Sequence, residues 1–301
     1  MDESKVIVQP LDKEWHGPHV SGMDMLRLDL FDPVISGNKW YKLKHNLQYA
    51  MQQGYKSILT FGGAFSNHLI ATAAAAQLHH IPAVGIVRGD DGRELTATLK
   101  ACREYGMQLH FVTREEYKHK DEEDWLARLA AKFDKPFIIP EGGANEQGRA
   151  GAAAIAALIP GSYTHICVSL GTGTTFIGLR NALPVHQQLL GFVPMKNGTY
   201  LKNEIWMAIE QDKDQNWELY DRWHFGGFGK WTDELISFMN GFYQVNHIPL
   251  DMVYTAKMMY GLKDLLSEGY FPAGANILCI HTGGLQGNVA IAAELVYKSG
   301  I

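Results

Sequence analysis

Two lysines at helical spacing, Lys39 and Lys42, are the residues of this sequence best suited to covalent chemistry. They follow Gly37 and Asn38 at the start of an amphipathic segment, so they would lie on one face of the first turns of a helix. The helix dipole, burial and the neighbouring charge would each lower the pKa of an amine there. Because only an uncharged amine attacks a carbonyl group, we predict that Lys39 forms a Schiff base. A solvated lysine at a helix start is the alternative that this segment alone leaves open.

A segment rich in glycine and threonine, residues 171–175, has the composition of an anion-binding loop. It follows a predicted strand at 164–169 and opens a predicted helix, so backbone amides, the helix dipole and threonine hydroxyls would all favour an anion. No Gly-Lys-Ser/Thr of a nucleotide phosphate loop follows, and Phe176 stands where a dinucleotide motif needs its third glycine. The segment predicts a monophosphate site, and an ordinary turn between strand and helix is the alternative.

Two more polar loops follow predicted strands. Residues 62–68 contain Ser66 and Asn67, which could bind a substrate carboxylate or could form a plain helix N-cap, and His68, which alone favours a structural role. Residues 281–284, with Thr282, form the third such loop. Because ligands of α/β proteins bind at the carboxyl edge of the sheet, these loops predict a site at that edge.

Two other chemistries are not supported by the sequence. His16-x-x-His19 and His79-His80 lack companion ligands at metal-binding spacing, so no metal is predicted. The Gly-x-Ser-x-Gly motif of the serine hydrolases does not occur.

Strands and helices alternate along the chain, which predicts mostly parallel sheets with helices on both faces. Predicted strands lie at 57–61, 83–87, 108–112, 137–140, 164–169, 189–193 and 276–280. The predicted helices include one charged helix at 115–133, helices at 232–246 and 255–267, and a last helix at 286–297. The aromatic, glycine-rich residues 222–230 are predicted to form a functional or interface loop, with aromatic packing as the alternative.

The composition favours a cytoplasmic globular protein. The chain has 301 residues, 46% hydrophobic residues and a net charge of -5, which argues against nucleic acid and anionic membranes as partners. Its three cysteines lie in or beside apolar stretches, as buried thiols of a reducing compartment do. The first residues do not resemble a signal peptide, and no apolar run is long enough to predict a membrane span.

Taken together, the segments resemble the D-cysteine desulfhydrase and 1-aminocyclopropane-1-carboxylate (ACC) deaminase family. These are pyridoxal-phosphate enzymes with the fold of the tryptophan synthase β-subunit. The segments that carry the resemblance are collinear: Gly37-Asn38-Lys39-x-x-Lys42-Leu43, Gly62-Gly63-x-x-Ser66-Asn67-His68, Pro140-Glu141-Gly142-Gly143-Ala144-Asn145, the 171–175 loop, Asp251-x-Val253-Tyr254-Thr255-x-Lys257 and His281-Thr282-Gly283-Gly284.

The resemblance implies that the cofactor is pyridoxal 5'-phosphate and assigns its binding residues. Lys39 would form the Schiff base, and Asn67 would hydrogen-bond the phenolic oxygen of the cofactor. The phosphate would be held by Gly171, Thr172, Gly173, Thr174 and Thr175. Thr282 would lie near the pyridine nitrogen, where a neutral hydroxyl leaves that nitrogen unprotonated more readily than a carboxylate would.

The resemblance also implies catalytic residues and a reaction. Ser66 would lie near the substrate carboxylate and Tyr254 over the active site. ACC deaminases carry a glutamate where this chain has Thr255 and a leucine where it has Thr282. These departures favour elimination of a good leaving group, as in D-cysteine desulfhydration to pyruvate, ammonia and sulfide. An ACC deaminase, or a catalytically idle protein that binds pyridoxal phosphate or a small anion, are the alternatives.

The resemblance further implies a two-domain α/β enzyme of the tryptophan synthase β-subunit type. A smaller domain at 44–149 would be inserted into a larger, cofactor-holding domain formed by 1–43 and 150–301. We expect the enzyme to be a homodimer that acts on a small amino acid.

Overall fold

The computed structural model describes residues 2–90, 94–210, 213 and 215–297, and these form two compact units. The first unit comprises the described parts of 1–38 and 152–301, and the second comprises 39–151. The predicted bounds of the inserted domain, 44 and 149, lie inside the second unit. Residues 1, 211, 212, 214 and 298–301 of the predicted larger domain, and residues 91–93 of the predicted smaller one, lie outside the described residues.

In both units, strands and helices largely alternate along the chain. The strands are β1 (Val8–Pro10), β2 (Gly22–Arg27), β3 (Ile58–Gly63), β4 (Ala83–Arg88), β5 (Gln108–Val112), β6 (Phe137–Ile139), β7 (His165–Ser169), β8 (Gln188–Phe192), β9 (Trp217–Tyr220) and β10 (Asn276–His281). The α-helices are α1 (Lys13–His16), α2 (Asn38–Gln52), α3 (Asn67–Leu78), α4 (Ala97–Glu104), α5 (Arg114–Tyr117), α6 (Glu123–Ala131), α7 (Glu146–Ala153), α8 (Thr174–Ala182), α9 (Leu201–Ala208), α10 (Asp233–Asn246) and α11 (Thr255–Ser267).

The first unit is built on a sheet with the strand order β1-β2-β10-β7-β8-β9. All neighbouring strands are parallel except β1 and β2, which are antiparallel. The central strand β7 is buried along its whole length, as expected for a strand covered on both faces. Because β7 and β10 are neighbours, the 171–175 loop and the 282–284 loop follow adjacent strands at the same edge of the sheet.

The second unit has a parallel sheet with the order β5-β4-β3-β6. Its central strands are apolar and buried, and the alanine-rich helix α3 is buried along most of its length because small side chains allow close packing. β3 and β6 are neighbours, so residues 62–66 and 140–143 also leave one edge together. The prediction of an α/β fold with mostly parallel sheets is confirmed.

Two predicted helices differ from the structure, and three strands were missed. The charged helix predicted at 115–133 is interrupted, since residues 118–122 form successive turns between α5 and α6. The helix predicted at 286–297 is a 3-10 helix at Leu285–Glu294. The strands β1, β2 and β9 were not predicted; β1 and β9 are short and partly exposed, whereas β2 has six residues that are mostly buried. Of the helices in the described part of the chain, none is both long and apolar enough to cross a membrane.

Candidate active site

The 171–175 loop of the first unit forms a concave turn at the start of α8. Gly173 is the N-cap and has a φ of 76°, a left-handed conformation that favours glycine. Because a glycine N-cap has no side chain, no side chain caps the first amides of α8. The hydroxyl oxygens of Thr172 and Thr174 lie 2.8 Å apart, and Thr174 and Thr175 are buried. This arrangement of amides, hydroxyls and helix dipole can bind an anion.

Asn38 ties the residue before Lys39 to this loop. Its side-chain amide donates to Thr175 Oγ1 at 2.7 Å, and its backbone amide donates to the Thr282 carbonyl at 3.3 Å. Gly37 lies against the same carbonyl, since a Cβ at that position would be 1.9 Å from Thr282 O. The sequence singled out Asn38 only as part of a motif. Its contacts join residues far apart in the chain and have no local signal.

Tyr254 lies over Gly171, with its hydroxyl 3.4 Å from the position that a glycine Cβ would occupy. Asp251 fixes the backbone at this point, because its carboxylate accepts from the amides of Val253, Tyr254 and Thr255. The buried hydroxyl of Thr255 donates to Asp251 Oδ2 at 2.6 Å. Thr255 is therefore part of the cap of α11.

A buried ion pair lies at the end of β2, beside the strand β10 that leads to Thr282. Arg27 makes two hydrogen bonds to Asp29, at 2.8 and 2.7 Å, and His281 Nδ1 lies 3.5 Å from Asp29 Oδ1. Burial alone would raise the pKa of Asp29, but His281 and Arg27 hold it below its ordinary value. Sequence reasoning missed this pair, which supports the strand ends next to Thr282.

In the second unit, Lys39 and Lys42 occupy the first turns of α2, as predicted. Lys42 is buried, and its Nζ donates to the Gly142 carbonyl at 3.0 Å. Burial and then the charge of Lys39 lower the pKa of Lys42 well below its ordinary value. Lys39 is half-buried. The Lys42 amine is committed to the turn that contains Gly142.

The same face of α2 also contacts Asn145, which follows the turn at Gly142. Asn46, one turn after Lys42, donates to the Lys42 carbonyl at 2.8 Å and accepts from Asn145 Nδ2 at 2.7 Å. Gly142 and Gly143 have φ values of 67° and 69°, which other residues rarely adopt. Two buried side chains of α2, Lys42 and Asn46, thus bind residues 142–145. They were not identified as a pair from the sequence.

Ser66 and Asn67 lie at the start of α3. Ser66 is the N-cap, and its Oγ accepts from the Leu69 amide at 3.3 Å, which is the structural alternative for this residue. Its O–H can still donate to a ligand. Asn67 is the first helical residue and is half-buried. Gly62 makes room for this turn, because a Cβ there would lie 2.5 Å from Ser66 Oγ.

His68 is buried and has one ring nitrogen without a partner among the described residues. Thr60 Oγ1 donates to the Ile139 carbonyl at 2.8 Å, so His68 Nε2, 2.9 Å away, must donate to Thr60. Nδ1 is then an acceptor, and no hydrogen bond reaches it. Burial, Lys42 and Lys39 lower the pKa of His68 to about 3, which keeps the ring neutral.

The described residues contain no group of three or more His, Cys, Asp or Glu side chains that could hold a metal ion. All ten residues predicted for the site lie at strand ends or helix starts. In the first unit the structure brings Tyr254 to the 171–175 loop, and in the second it brings Lys39 close to Lys42 and His68. The roles of these residues stay predictions.

Comparison with known proteins gives a consistent result. Residues 25–283 match the sequence model of the family described as "Pyridoxal-phosphate dependent enzyme". The chain is 31% identical over 286 residues to a Pyrococcus horikoshii protein named "Putative 1-aminocyclopropane-1-carboxylate deaminase", and the match covers 90% of this chain and 86% of that protein.

Two further similarities add to this. A protein of Arabidopsis thaliana named "Bifunctional D-cysteine desulfhydrase/1-aminocyclopropane-1-carboxylate deaminase, mitochondrial" is 27% identical over 308 residues, with 90% of this chain and 74% of that protein covered. A crystal structure described as an ACC deaminase homologue superposes with a TM-score of 0.82 at 28% identity and covers 97% of this chain and 93% of that chain.

Proposed function

We propose, from the premise that this chain belongs to the pyridoxal-phosphate dependent enzyme family, that it catalyses β-elimination from a D-amino acid. Its cofactor is pyridoxal 5'-phosphate, and its relatives are named ACC deaminases and a D-cysteine desulfhydrase. With D-cysteine as substrate, one water is consumed and pyruvate, ammonia and sulfide are released.

The observation that carries the proposal is the hydrogen bonding of Thr255. Its buried hydroxyl and its amide both donate to Asp251 Oδ2, at 2.6 and 2.9 Å. The side chain that follows Tyr254 is therefore a neutral capping group at the position where, by the resemblance, ACC deaminases carry a glutamate. Opening an unactivated ring carbon needs more assistance from charged groups than loss of a thiolate does.

The residues of the site fit the cofactor. The 171–175 loop has an N-cap without a side chain, positive φ at Gly173 and two threonine hydroxyls 2.8 Å apart, as a phosphate-binding turn requires. The bound cofactor supplies an electron-withdrawing ring that makes the Cα hydrogen of an attached amino acid acidic.

The chain's own residues then divide the work. Lys39 would hold the cofactor covalently in the resting enzyme, and its amine, once displaced by the substrate amine, would accept the proton that leaves Cα. Lys42 does not compete for this role, because its amine is buried and donates to the Gly142 carbonyl. Ser66 uses its remaining O–H to bind the substrate carboxylate, and Asn67 donates to the cofactor's phenolic oxygen.

Tyr254 has a fixed place above Gly171, since Asp251 holds its amide and Ser169 Oγ donates to its carbonyl at 2.9 Å. Its ring therefore covers the phosphate-side loop and excludes water there. Thr282 leaves the ring nitrogen of the cofactor without a charged partner.

ACC deamination is the second candidate function. What favours it is the name of the Pyrococcus horikoshii relative and the description of the similar crystal structure. The two reactions differ in product, since elimination from D-cysteine gives pyruvate and ring opening of ACC gives 2-oxobutyrate.

Steady-state assays on D-cysteine, L-cysteine, β-chloro-D-alanine and ACC test the proposal. We expect pyruvate from D-cysteine and β-chloro-D-alanine, with a kcat/KM for D-cysteine at least about tenfold above that for ACC, or ~1.4 kcal/mol in transition-state stabilisation. An equal or higher kcat/KM for ACC would overturn the reaction, and a preference for L-cysteine would overturn the stereochemistry. Cofactor absorbance without any turnover would indicate an idle binding protein.

A further inference from the structure

The loop at residues 223–229, which the proposed reaction does not use, has an unusual backbone. Phe225, Gly226, Gly227 and Gly229 all have positive φ, at 49°, 90°, 124° and 66°. Two successive turns shape it, because the Gly227 amide donates to the His224 carbonyl and the Lys230 amide to the Gly227 carbonyl. The glycines adopt such φ values without strain, but Phe225 does so only where surrounding groups hold it.

One buried amine holds both turns. Lys257 Nζ donates to the His224 carbonyl and to the Gly227 carbonyl, each at 2.8 Å. The Lys257 side chain is only 2% exposed, and an ammonium at such a depth is stable only with close acceptors. Burial lowers its pKa to about 8, with Asp251 acting in the opposite direction, so the amine is mostly charged at neutral pH.

The charge of Lys257 has no direct carboxylate partner among its hydrogen bonds in the described residues. Asp251 uses its oxygens for the amides and the hydroxyl that cap α11. The ammonium therefore donates its hydrogen bonds to the carbonyls of His224 and Gly227. A methionine of similar length would satisfy the packing of this position, but it could not bind the carbonyls.

Other side chains of α11 grip the first half of the loop. Trp223 fills the space above Gly261, where a Cβ would lie 2.5 Å from Trp223 Cε3, and its Nε1 donates to Asp264 Oδ2 at 2.6 Å. Phe225 packs edge-on against Tyr260, with ring centroids 4.9 Å apart. After Gly227, whose carbonyl accepts from Lys257, the next loop residue is Phe228.

Phe228 connects the loop to the site. Its ring is 56% exposed and meets Tyr254 edge-on, with centroids 5.7 Å apart. Tyr254 lies one helical turn before Lys257 and covers Gly171. A change in the loop therefore moves the group that packs against Tyr254.

We propose that Lys257 is a positioning residue, a built-in cation that shapes the 223–229 loop through two carbonyls and thereby sets the place of Phe228 against Tyr254. The effect of Lys257 on the shape of the loop is independent of the proposed reaction. Its effect on catalysis through Tyr254 rests on the proposed function.

The test uses the holoenzyme and the variants Lys257→Ala and Lys257→Met. Lys257→Ala leaves space for a small cation, whereas Lys257→Met fills that space without a charge. Lys263→Met is the matched control, since Lys263 lies on the same helix and also donates to a carbonyl, that of Trp15, but is exposed.

The first measurement is chymotryptic cleavage after Phe225 and Phe228, followed by mass spectrometry of the fragments. Both Lys257 variants should be cleaved roughly tenfold faster than wild type, because two charge-assisted hydrogen bonds that close the loop are lost. Methylammonium chloride should protect Lys257→Ala but not Lys257→Met, and tetramethylammonium chloride at the same ionic strength should protect neither. Lys263→Met should be cleaved like wild type.

The second measurement is steady-state kinetics with the best substrate of the panel. Lys257→Ala should raise KM several-fold more than it lowers kcat, and methylammonium should restore KM. Cleavage of Lys257→Ala at the wild-type rate, or no protection by methylammonium, overturns the proposal. Unfolding of both variants also overturns it, because Lys257 would then serve core stability. If no substrate is turned over, the proposed reaction fails while the cleavage result still decides the role of Lys257 in the loop.

Discussion

At the scale of single residues, the two lysines at the start of α2 differ in burial, since Lys39 is half-buried and Lys42 is buried. Lys42 is buried and donates to the Gly142 carbonyl, and its pKa is well below the ordinary value because of burial and Lys39. A low pKa by itself would make Lys42 a candidate nucleophile. The hydrogen bond gives it a structural task instead, so we assign the covalent role to Lys39.

Borohydride reduction of the holoenzyme followed by peptide mapping separates the two lysines. We expect the pyridoxyl group on Lys39 in wild type and in Lys42→Met. Lys39→Ala should lose the covalent label and all turnover while keeping its fold, because the amine acts in chemistry rather than packing. A label on Lys42 in the wild-type enzyme, or on no lysine, would contradict the assignment.

His68 gives a pH dependence of stability that the sequence did not predict. Its pKa is about 3 in the folded chain and about 6.5 when unfolded, so the unfolded chain binds more protons between these values. The stabilisation is complete above pH 6.5 and declines as the pH falls toward 3. Between pH 7 and pH 5 the loss amounts to about 2 kcal/mol.

Urea unfolding at pH 7 and pH 5 measures this contribution. His68→Gln should unfold at more similar urea concentrations at the two pH values than wild type does. His80→Gln, which changes an exposed histidine of the same unit, should keep the wild-type difference. An unchanged difference in His68→Gln would show that another group is responsible.

At the scale of elements, the start of α8 depends on a glycine. Gly173→Val places a β-branched side chain at a φ of 76° and brings its Cβ to 3.1 Å from Ile205 Cγ1, so the turn must change shape. We expect the Kd for pyridoxal 5'-phosphate to rise by roughly tenfold or more in a titration of the apoenzyme followed by absorbance.

Gly161→Val is the control for that titration. Gly161 lies in the same unit, and a Cβ there would meet nothing within 4 Å. It should bind the cofactor like wild type. Wild-type affinity in Gly173→Val would place the phosphate at another loop.

The elements also show why some of the structure was predictable from the sequence. α11 was predicted at its observed bounds, because its apolar periodicity is strong and uninterrupted. The interruption between α5 and α6 was missed, since the charged residues there have good helix propensity and the break is made by turns. The 3-10 form of residues 285–294 likewise has no distinct sequence signal.

The candidate site was predictable to a similar degree. Its loops were predicted from glycines and polar residues that directly follow predicted strands, because ligands of α/β proteins bind at the carboxyl ends of strands. The partners of Asn38, Lys42 and Lys257 were not foreseen. Each of these side chains bonds to a carbonyl or hydroxyl that lies far away in the sequence, and such bonds appear only when the chain is folded.

At the scale of the whole molecule, cofactor and stability are linked by mass action. A ligand that binds only the folded chain stabilises it by about 2.7 kcal/mol at a hundredfold excess over its Kd. The Tm of the apoenzyme should therefore rise steadily with the logarithm of the pyridoxal 5'-phosphate concentration. Gly173→Val should show a smaller rise at each concentration, and a Tm independent of the cofactor in wild type would contradict the linkage.

The pairing of β2 with β10 joins residues more than 250 positions apart, from Gly22↔Asn276 to Arg27↔His281. On the ribosome, β2 must therefore wait for nearly the whole chain to be synthesised, which takes roughly 10–50 s at the usual rates. During that time β2 can pair only with β1, and its other edge, which later binds β10, stays open, while residues 39–151 can already form their own sheet. The nascent chain thus carries an open, aggregation-prone strand edge until β10 is made, and its yield in the cell should depend on chaperones that hold early segments until synthesis ends.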